Sequence, residues 1–265
     1  MEDVLVANDL SYRYTDSYCI KDFSLSIQKG EIVSIVGSNG SGKSTVLRLL
    51  TRLLKTESGA ILLEGQSINQ LTDKQFAKKM TMLPQVLNHQ VEMTVRDLVS
   101  HGRNPYLKWY EVVDNQTNYI DWALSVTHLT ALQHRPLYAL SGGERQRAWI
   151  AMSIAQTPKV LILDEPTSYL DISHQLEIME LLKELNDSLG MTIIMVLHDL
   201  NQAARYSDRI IAMKNGKVVR QGKPCEVYDH DFFEEVFSIK ASIHFDGDKP
   251  VCTPIGLAQS QQKKN

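Results

Sequence analysis

Ile32-Val33-Ser34-Ile35-Val36-Gly37-Ser38-Asn39-Gly40-Ser41-Gly42-Lys43-Ser44-Thr45 is the stretch that decides the fold. Its first five residues are nearly all apolar and rich in β-branched side chains, as a strand buried on both faces requires. The next nine have the spacing GxxxxGK[ST], and Val46, Leu47, Leu49 and Leu50 continue as a helical run. Strand, glycine-rich turn and helix in that order make a phosphate loop. The glycines let the backbone curl until several N–H groups point at phosphate oxygens, and the positive end of the following helix adds to the pull. Lys43 then reaches the β- and γ-phosphates, and Ser44 offers a hydroxyl to Mg²⁺.

Two further runs, Val160 to Leu163 and Thr192 to Leu197, have the same doubly buried character and predict partners in a parallel sheet. Between them, Ile172 to Leu189 carries Leu176, Met179, Leu182, Leu185 and Leu189 on one helical stripe, with Gly190 as the stop. Alternating strands and helices give an α/β core. Val4 to Ala7 and Phe23 to Ile27 read as strands of a small antiparallel sheet. From Asn88 to Thr157 the buried-strand signal stops and helix starts take over, first at Thr94 with Asp97 three residues on. That stretch reads as an inserted helical subdomain. Ile210 to Arg220 reads as a hairpin turning at Asn215-Gly216. The segment after Gly256, ending Gln259-Ser260-Gln261-Gln262-Lys263-Lys264-Asn265, reads as a polar, frayed tail.

Asp164-Glu165-Pro166 follows Val160 to Leu163 directly, so two carboxylates emerge at the carboxyl end of a buried parallel strand, where ligand sites form. Asp164 suits Mg²⁺, and Glu165, pointing elsewhere, suits the general base that polarises an attacking water. Leu140-Ser141-Gly142-Gly143-Glu144-Arg145-Gln146-Arg147 opens another helix. Ser141 with Glu144 is by itself a capping box. The two glycines add exposed helix-start amides suited to a nucleotide phosphate.

This ensemble resembles the nucleotide-binding subunits of ABC transporters, whose hallmark is the Leu-Ser-Gly-Gly string. The other family motifs occur in order: Tyr14 before the first core strand, Gln85 after the strand Thr81 to Leu83, Ser168-Tyr169-Leu170-Asp171 after the acidic pair, and His198 after Val196-Leu197. The resemblance implies a RecA-like phosphate-loop ATPase core with a small antiparallel β subdomain and an inserted helical subdomain. It places the nucleotide-binding core at 1–87 and 158–240, the helical subdomain at 88–157 and a C-terminal tail at 241–265. It implies ATP and Mg²⁺ as cofactors, held in a head-to-tail dimer between the loop Gly37 to Thr45 of one copy and Ser141, Gly142, Gly143 and Glu144 of the other. Tyr14 would stack on adenine, Gln85 would sense Mg²⁺ and the water, His198 would contact the γ-phosphate, and Asp171 would act across the dimer interface.

The likeness runs from about Val4 to Phe237 and is nearest to ATP-binding subunits of iron-siderophore, haem and cobalamin importers. The residues that carry it are Thr94-Val95-Arg96-Asp97-Leu98-Val99, Gly102-Arg103-Asn104-Pro105-Tyr106 and His198 to Asp208. It implies import of a ferric siderophore through a separate permease docked by the helical subdomain, with a second copy or a paralogue completing the dimer. An extracytoplasmic binding protein would take part indirectly. Alternatives are haem or cobalamin as cargo, or a soluble ABC ATPase such as an iron–sulfur assembly factor. Ser38 stands where the family often has Pro, and Tyr169 where many members have a small residue.

Composition agrees with these expectations. The 265 residues are 43% hydrophobic and 22% charged, in the globular range, and the net charge of −3 lacks the basic excess of a nucleic-acid binder. Cys19, Cys225 and Cys252 have neither disulfide-framework nor metal spacing. Met1-Glu2-Asp3 lacks the basic start of a signal peptide, and no apolar run is long enough to span a bilayer. The expected location is therefore the cytoplasmic face of the membrane, held there by the permease.

Overall fold

The computed structural model describes residues 2–15, 17–85, 92–107 and 116–258. In chain order the main elements are β1 (Asp3–Arg13), β2 (Tyr18–Gln28), β3 (Ile32–Val36), α1 (Lys43–Leu50), β4 (Ser58–Leu63), β5 (Gln66–Ser67), α2 (Asp73–Lys79), β6 (Met80–Leu83), α3 (Val95–His101), α4 (Thr117–Val126) and α5 (Gly142–Ala155). There follow β7 (Val160–Asp164), α6 (Ile172–Leu189), β8 (Thr192–Val196), α7 (Leu200–Tyr206), β9 (Arg209–Lys214), β10 (Lys217–Gly222), α8 (Pro224–Val227), α9 (His230–Phe232), β11 (Ile239–Asp246) and β12 (Lys249–Leu257). β1, β2, β4 and β5 form a four-stranded sheet in the order β2-β1-β4-β5.

The chain divides into two compact units, one of Met1–Val6, Ser26–Gly30 and Ile61–Met195, the other of Ala7–Leu25, Glu31–Ala60 and Val196–Asn265. In the first, β6, β7 and β8 lie side by side, β6 and β7 parallel from Met80↔Val160 to Leu83↔Leu163. Every residue of β7 and β8 is buried, as their unbroken apolar runs demand. α6 spans Ile172–Leu189 and ends at Gly190, whose φ of +62° is the left-handed stop expected. Its buried face differs from the expected stripe. Ile178, Met179, Leu181, Leu182 and Leu185 face inward, whereas Leu176 and Leu189 are 41% and 49% exposed. The buried arc runs through Leu181, Leu185, Ile178, Leu182 and Met179, so Leu176 falls off it and Leu189 is exposed at the helix end; Asn186 lies on the arc and donates to the carbonyls of Gly30 (2.8 Å) and Met191 (2.7 Å).

α3 starts at Thr94, with the reciprocal bonds to Asp97 that make a capping box. α3, α4 and α5 pack on one another, and this helical group belongs to the same unit as β6, β7 and β8. Gly102 caps the end of α3 in a right-handed conformation. Its φ is −58°, and it is glycine because a Cβ would sit 2.1 Å from the Met152 carbonyl oxygen, where α3 runs against α5. Arg103, next in sequence, is buried. Its guanidinium carbon lies 3.8 Å from the Tyr106 ring centroid and 4.1 Å from that of Tyr119, while Nη1 donates to the Ala155 carbonyl and Nε to Gln116, each at 2.6 Å.

In the second unit β3 pairs in parallel with β9, from Val33↔Arg209 to Val36↔Ala212, and β9 turns back into antiparallel β10. Asn215 and Gly216 have φ of +50° and +75°, the two positive values a type I′ hairpin needs. Residues 241–257 are not a tail. β11 and β12 form an antiparallel hairpin with Ile239 opposite Leu257 and Asp246 opposite Lys249, turning at Gly247, φ +64°. Asn201 of α7 holds it, donating to the Cys252 carbonyl at 3.1 Å and accepting from the Cys252 amide at 2.8 Å. The stretch 259–265 lies outside the described residues, as do 88–91 and 108–115 of the expected helical segment.

Candidate nucleotide site

The phosphate loop lies in the second unit, between β3 and α1. Gly37, Gly40 and Gly42 have φ of +151°, +78° and +100°, which side chains disfavour. A Cβ on Gly37 would lie 2.2 Å from the Met213 carbonyl oxygen, and one on Gly42 2.6 Å from the Ile20 side chain, so the loop fits its surroundings only as glycine. Ser38 and Asn39 are exposed with Gly40 at the rim, and Ser41 turns inward, its carbonyl accepting from the Gly216 amide at 3.0 Å. Lys43 is 6% exposed, and its ammonium donates to the carbonyls of Gly37 (2.8 Å) and Ser38 (3.1 Å), folding the side chain back over the loop. The Ser41 hydroxyl oxygen is buried without a protein partner. A buried cation, a helix start and a hydroxyl in want of a partner form a cradle that suits a polyphosphate.

Two other residues of this unit, Tyr14 and Cys19, reach Thr45 at the end of the loop, and His198 belongs to the same unit. Tyr14 is 55% exposed, its hydroxyl 3.4 Å from Thr45 Oγ1 and its ring edge-on to Tyr12. Cys19 also reaches Thr45, Sγ to Oγ1, at 3.6 Å. His198 is exposed in the bend between β8 and α7, where Asp199 caps α7 by accepting from the amides of Asn201 (2.8 Å) and Gln202 (3.0 Å).

The first unit carries the acidic pair and the Leu-Ser-Gly-Gly helix. Asp164 ends β7 at 5% exposure, and a carboxylate is a hard oxygen donor of the kind Mg²⁺ takes; Ser44, in the other unit, is half-buried. Glu165 leaves the strand with φ +53°. That turn separates its carboxylate from that of Asp164 and leads into a turn at 166–169 rather than a helix. Gln85 Nε2 donates to Glu165 Oε2 at 2.5 Å, and Ser168 Oγ donates to the same oxygen at 2.9 Å. Gln85 and Glu165, 80 residues apart, are therefore brought together.

Ser141 caps α5. Glu144 N donates to Ser141 Oγ at 3.2 Å, and Ser141 N donates to Glu144 Oε2 at 2.8 Å; this backbone bond, above all, holds the Glu144 carboxyl below its usual range against the opposing effect of burial. The capping box and the phosphate-binding reading thus coexist, since the cap leaves the exposed Gly142 at the helix start. Asp171 caps α6, accepting from the His174 amide (3.0 Å), Ser173 Oγ (2.8 Å) and His174 Nδ1 (2.8 Å), which brings its carboxyl down to about 2.

The family model described as ABC transporter matches residues 20–168, from β2 through the phosphate loop and the signature helix to the acidic pair. The chain belongs to the ABC transporter family. As an ABC cassette it is an ATPase. It is 49% identical to a petrobactin import ATP-binding protein of Bacillus anthracis, over 95% of this chain and 93% of that one. It is 43% identical to an iron(3+)-hydroxamate import ATP-binding protein of Bacillus subtilis, over 98% and 97%. Among solved structures it is similar to a dimeric bacterial ABC transporter cassette, with a TM-score of 0.71 and 30% identity over 83% of this chain and 98% of that one.

Two residues in contact with the expected site residues were not assigned a role from sequence. Ser168 fixes Glu165, and its place three residues after the carboxylate was the available signal. His174 bonds Asp171 and lies against Gly143, and the i, i+3 spacing from a helix cap was its signal. The cavity of about 540 Å³ in the first unit is not the nucleotide site. It is lined in part by Pro158, Lys159, Gly190 and Met191, at the amino ends of β7 and β8, whereas Asp164 and Glu165 stand at the carboxyl end of β7. No helix among the described residues is long and apolar enough to cross a membrane.

Proposed function

We propose that this ABC ATPase powers import of a ferric siderophore through a separate membrane permease, working as a head-to-tail pair at the cytoplasmic face. The observation that carries the catalytic part is Glu165, turned out of β7 and held by Gln85 and Ser168. A carboxylate so oriented, beside a buried second carboxylate, suits general-base activation of water. Lys43, the loop amides and Ser41 would bind the phosphates, Ser44, Asp164 and Gln85 would meet Mg²⁺, and Tyr14 would present its open face to adenine. When bound, the metal would supply charge neutralisation on the transferring phosphoryl group. His198 would contact the γ-phosphate. Ser141 to Glu144 and Asp171 would complete the site of a second copy, a reading supported by the dimeric relative. The helical group of α3, α4 and α5 would dock on the permease.

The cargo assignment rests on the relatives, which are import proteins for petrobactin and for iron(3+)-hydroxamates. Uptake of labelled ferric siderophores, haem and cobalamin tests it, in cells whose only copy carries Glu165→Gln against wild type. Loss of uptake of one ferric siderophore class is expected. Loss confined to haem or cobalamin would replace the cargo, and unchanged uptake of all three would favour a soluble ATPase role.

A further inference from the structure

His174 stands in the first turn of α6 and touches two motifs that the proposed dimer presents to its second copy. Its Nδ1 lies 2.8 Å from each carboxylate oxygen of Asp171. An ionised carboxylate only accepts, so Nδ1 carries the proton and donates. The carbon edge of the same ring lies against Gly143 of the signature helix. A Cβ on Gly143 would be 2.1 Å from His174 Cδ2 and 2.6 Å from Cγ, so position 143 is glycine where the imidazole takes the room. Two flanking contacts keep the ring there: Gln175 Nε2 donates to the Leu170 carbonyl at 2.9 Å, and Arg147 of α5 pairs with Glu177 of α6. A Cβ on Gly142 would meet Leu170 at 3.4 Å, an ordinary contact, so the tight approach is specific to Gly143 and His174.

We propose that His174 is a positioning residue that locks Asp171 to the turn Ser141–Glu144, so that both reach the second copy as one rigid surface. It touches no nucleotide in this scheme. Bulk alone at position 174 would fill the space against Gly143 but remove the ring donor, leaving Asp171 to the His174 amide and Ser173 Oγ, both on its own helix start. A donor alone would hold Asp171 but loosen the helix start. Imidazole does both. The proposal rests on the sandwich-dimer reading and adds to it a residue that sets the geometry of closure.

The test uses the full chain in a Glu165→Gln background, with ATP-dependent dimerisation followed by light scattering, binding of a fluorescent ATP analogue measured on dilute protein, and kcat measured in the wild-type background. His174→Ala should weaken dimerisation and lower kcat by about tenfold or more, the coupling expected of a contact network, while analogue affinity changes less than about twofold. His174→Asn, whose amide can take the place of Nδ1, should recover much of the loss, and His174→Leu should not. A general loss of structure would instead lower analogue binding and thermal midpoint together in all three variants, and would overturn the proposal. So would dimerisation and kcat left intact by His174→Ala, or equal recovery by Leu and Asn. If Glu165→Gln alone fails to dimerise with ATP, the sandwich reading itself falls and this role with it; if it dimerises and adding His174→Ala changes nothing, only the role of His174 falls.

Discussion

Gln85 donates its side-chain amide to Glu165 at 2.5 Å, joining a residue just after β6 to one just after β7. The parallel register Leu83↔Leu163 sets the ends of the two strands level, which puts the amide within reach of the carboxylate. The orientation of the proposed general base thus depends on a neighbouring strand. Gln85→Ala should lower kcat by about tenfold, roughly the 1.4 kcal/mol of one lost orienting bond, with ATP affinity measured without Mg²⁺ retained. Steady-state hydrolysis alongside equilibrium nucleotide binding separates the two effects, and a parallel fall in affinity would count against the assignment.

The phosphate loop should tolerate no side chain at its first glycine. In Gly37→Ala the new Cβ meets the backbone oxygen of Met213 at 2.2 Å, at a φ of +151°. Backbone cannot move aside as a flexible side chain does, so a cost of about 2 kcal/mol or more is expected. Thermal unfolding should show a lower midpoint, and nucleotide binding should be lost. A stable variant with normal binding would contradict the loop geometry.

Adenine stacking on Tyr14 has a simple measure. The ring is exposed, with its hydroxyl near Thr45 and its edge against Tyr12. Tyr14→Ala should weaken ATP binding by about 1 kcal/mol, near fivefold, and Tyr14→Phe should hardly change it. Equal affinity in Tyr14→Ala would remove the residue from the site.

Arg103 joins three segments of the helical group through two rings, Gln116 and the end of α5. Its burial pushes the guanidinium below its usual value, but the group stays ionised. Arg103→Ala should cost about 2 to 4 kcal/mol, because it strands a buried carbonyl and two stacked rings. Arg103→Lys should recover little, since an ammonium has no plane to lay between two rings. Chemical denaturation reads both.

The Asp171 carboxyl sits at about 2 in the folded protein against an ordinary 3.8. A depressed folded value means that the carboxylate's contribution is complete above pH 4 and is lost as pH falls from there towards 2. Thermal midpoints measured down this range should fall less steeply in Asp171→Asn than in wild type. Parallel slopes would show that the cap does not hold the carboxylate.

Much of this was legible in the sequence because the decisive signals are local. The run Ile32 to Val36 followed by glycines and Lys43, the strand ending in Asp164-Glu165, and the Ser141/Glu144 cap each need only a few adjacent residues. Non-local features were not legible. The bond between Gln85 and Glu165 depends on strand register, and the approach of His174 to Gly143 on how α6 crosses α5. The β11–β12 hairpin was missed for a different reason. Pro250 and Pro254 break the ordinary strand pattern of β12, and β11 buries Ala241 alone of its residues while Phe245 is 58% exposed. The α6 stripe was misplaced at both ends because Leu176 lies off the face carrying Ile178, Leu181 and Leu185, and Leu189 is the last residue of the helix, while polar Asn186 faces inward on the strength of two backbone partners.

The most direct measurement is phosphate release by the purified protein with ATP and Mg²⁺, wild type against Glu165→Gln. The account predicts steady release by wild type and a fall of about a hundredfold or more in the variant, the scale of a lost general base, with nucleotide still bound. Equal release from both proteins would contradict the assignment of Glu165 and, with it, the way this cassette is held to drive transport.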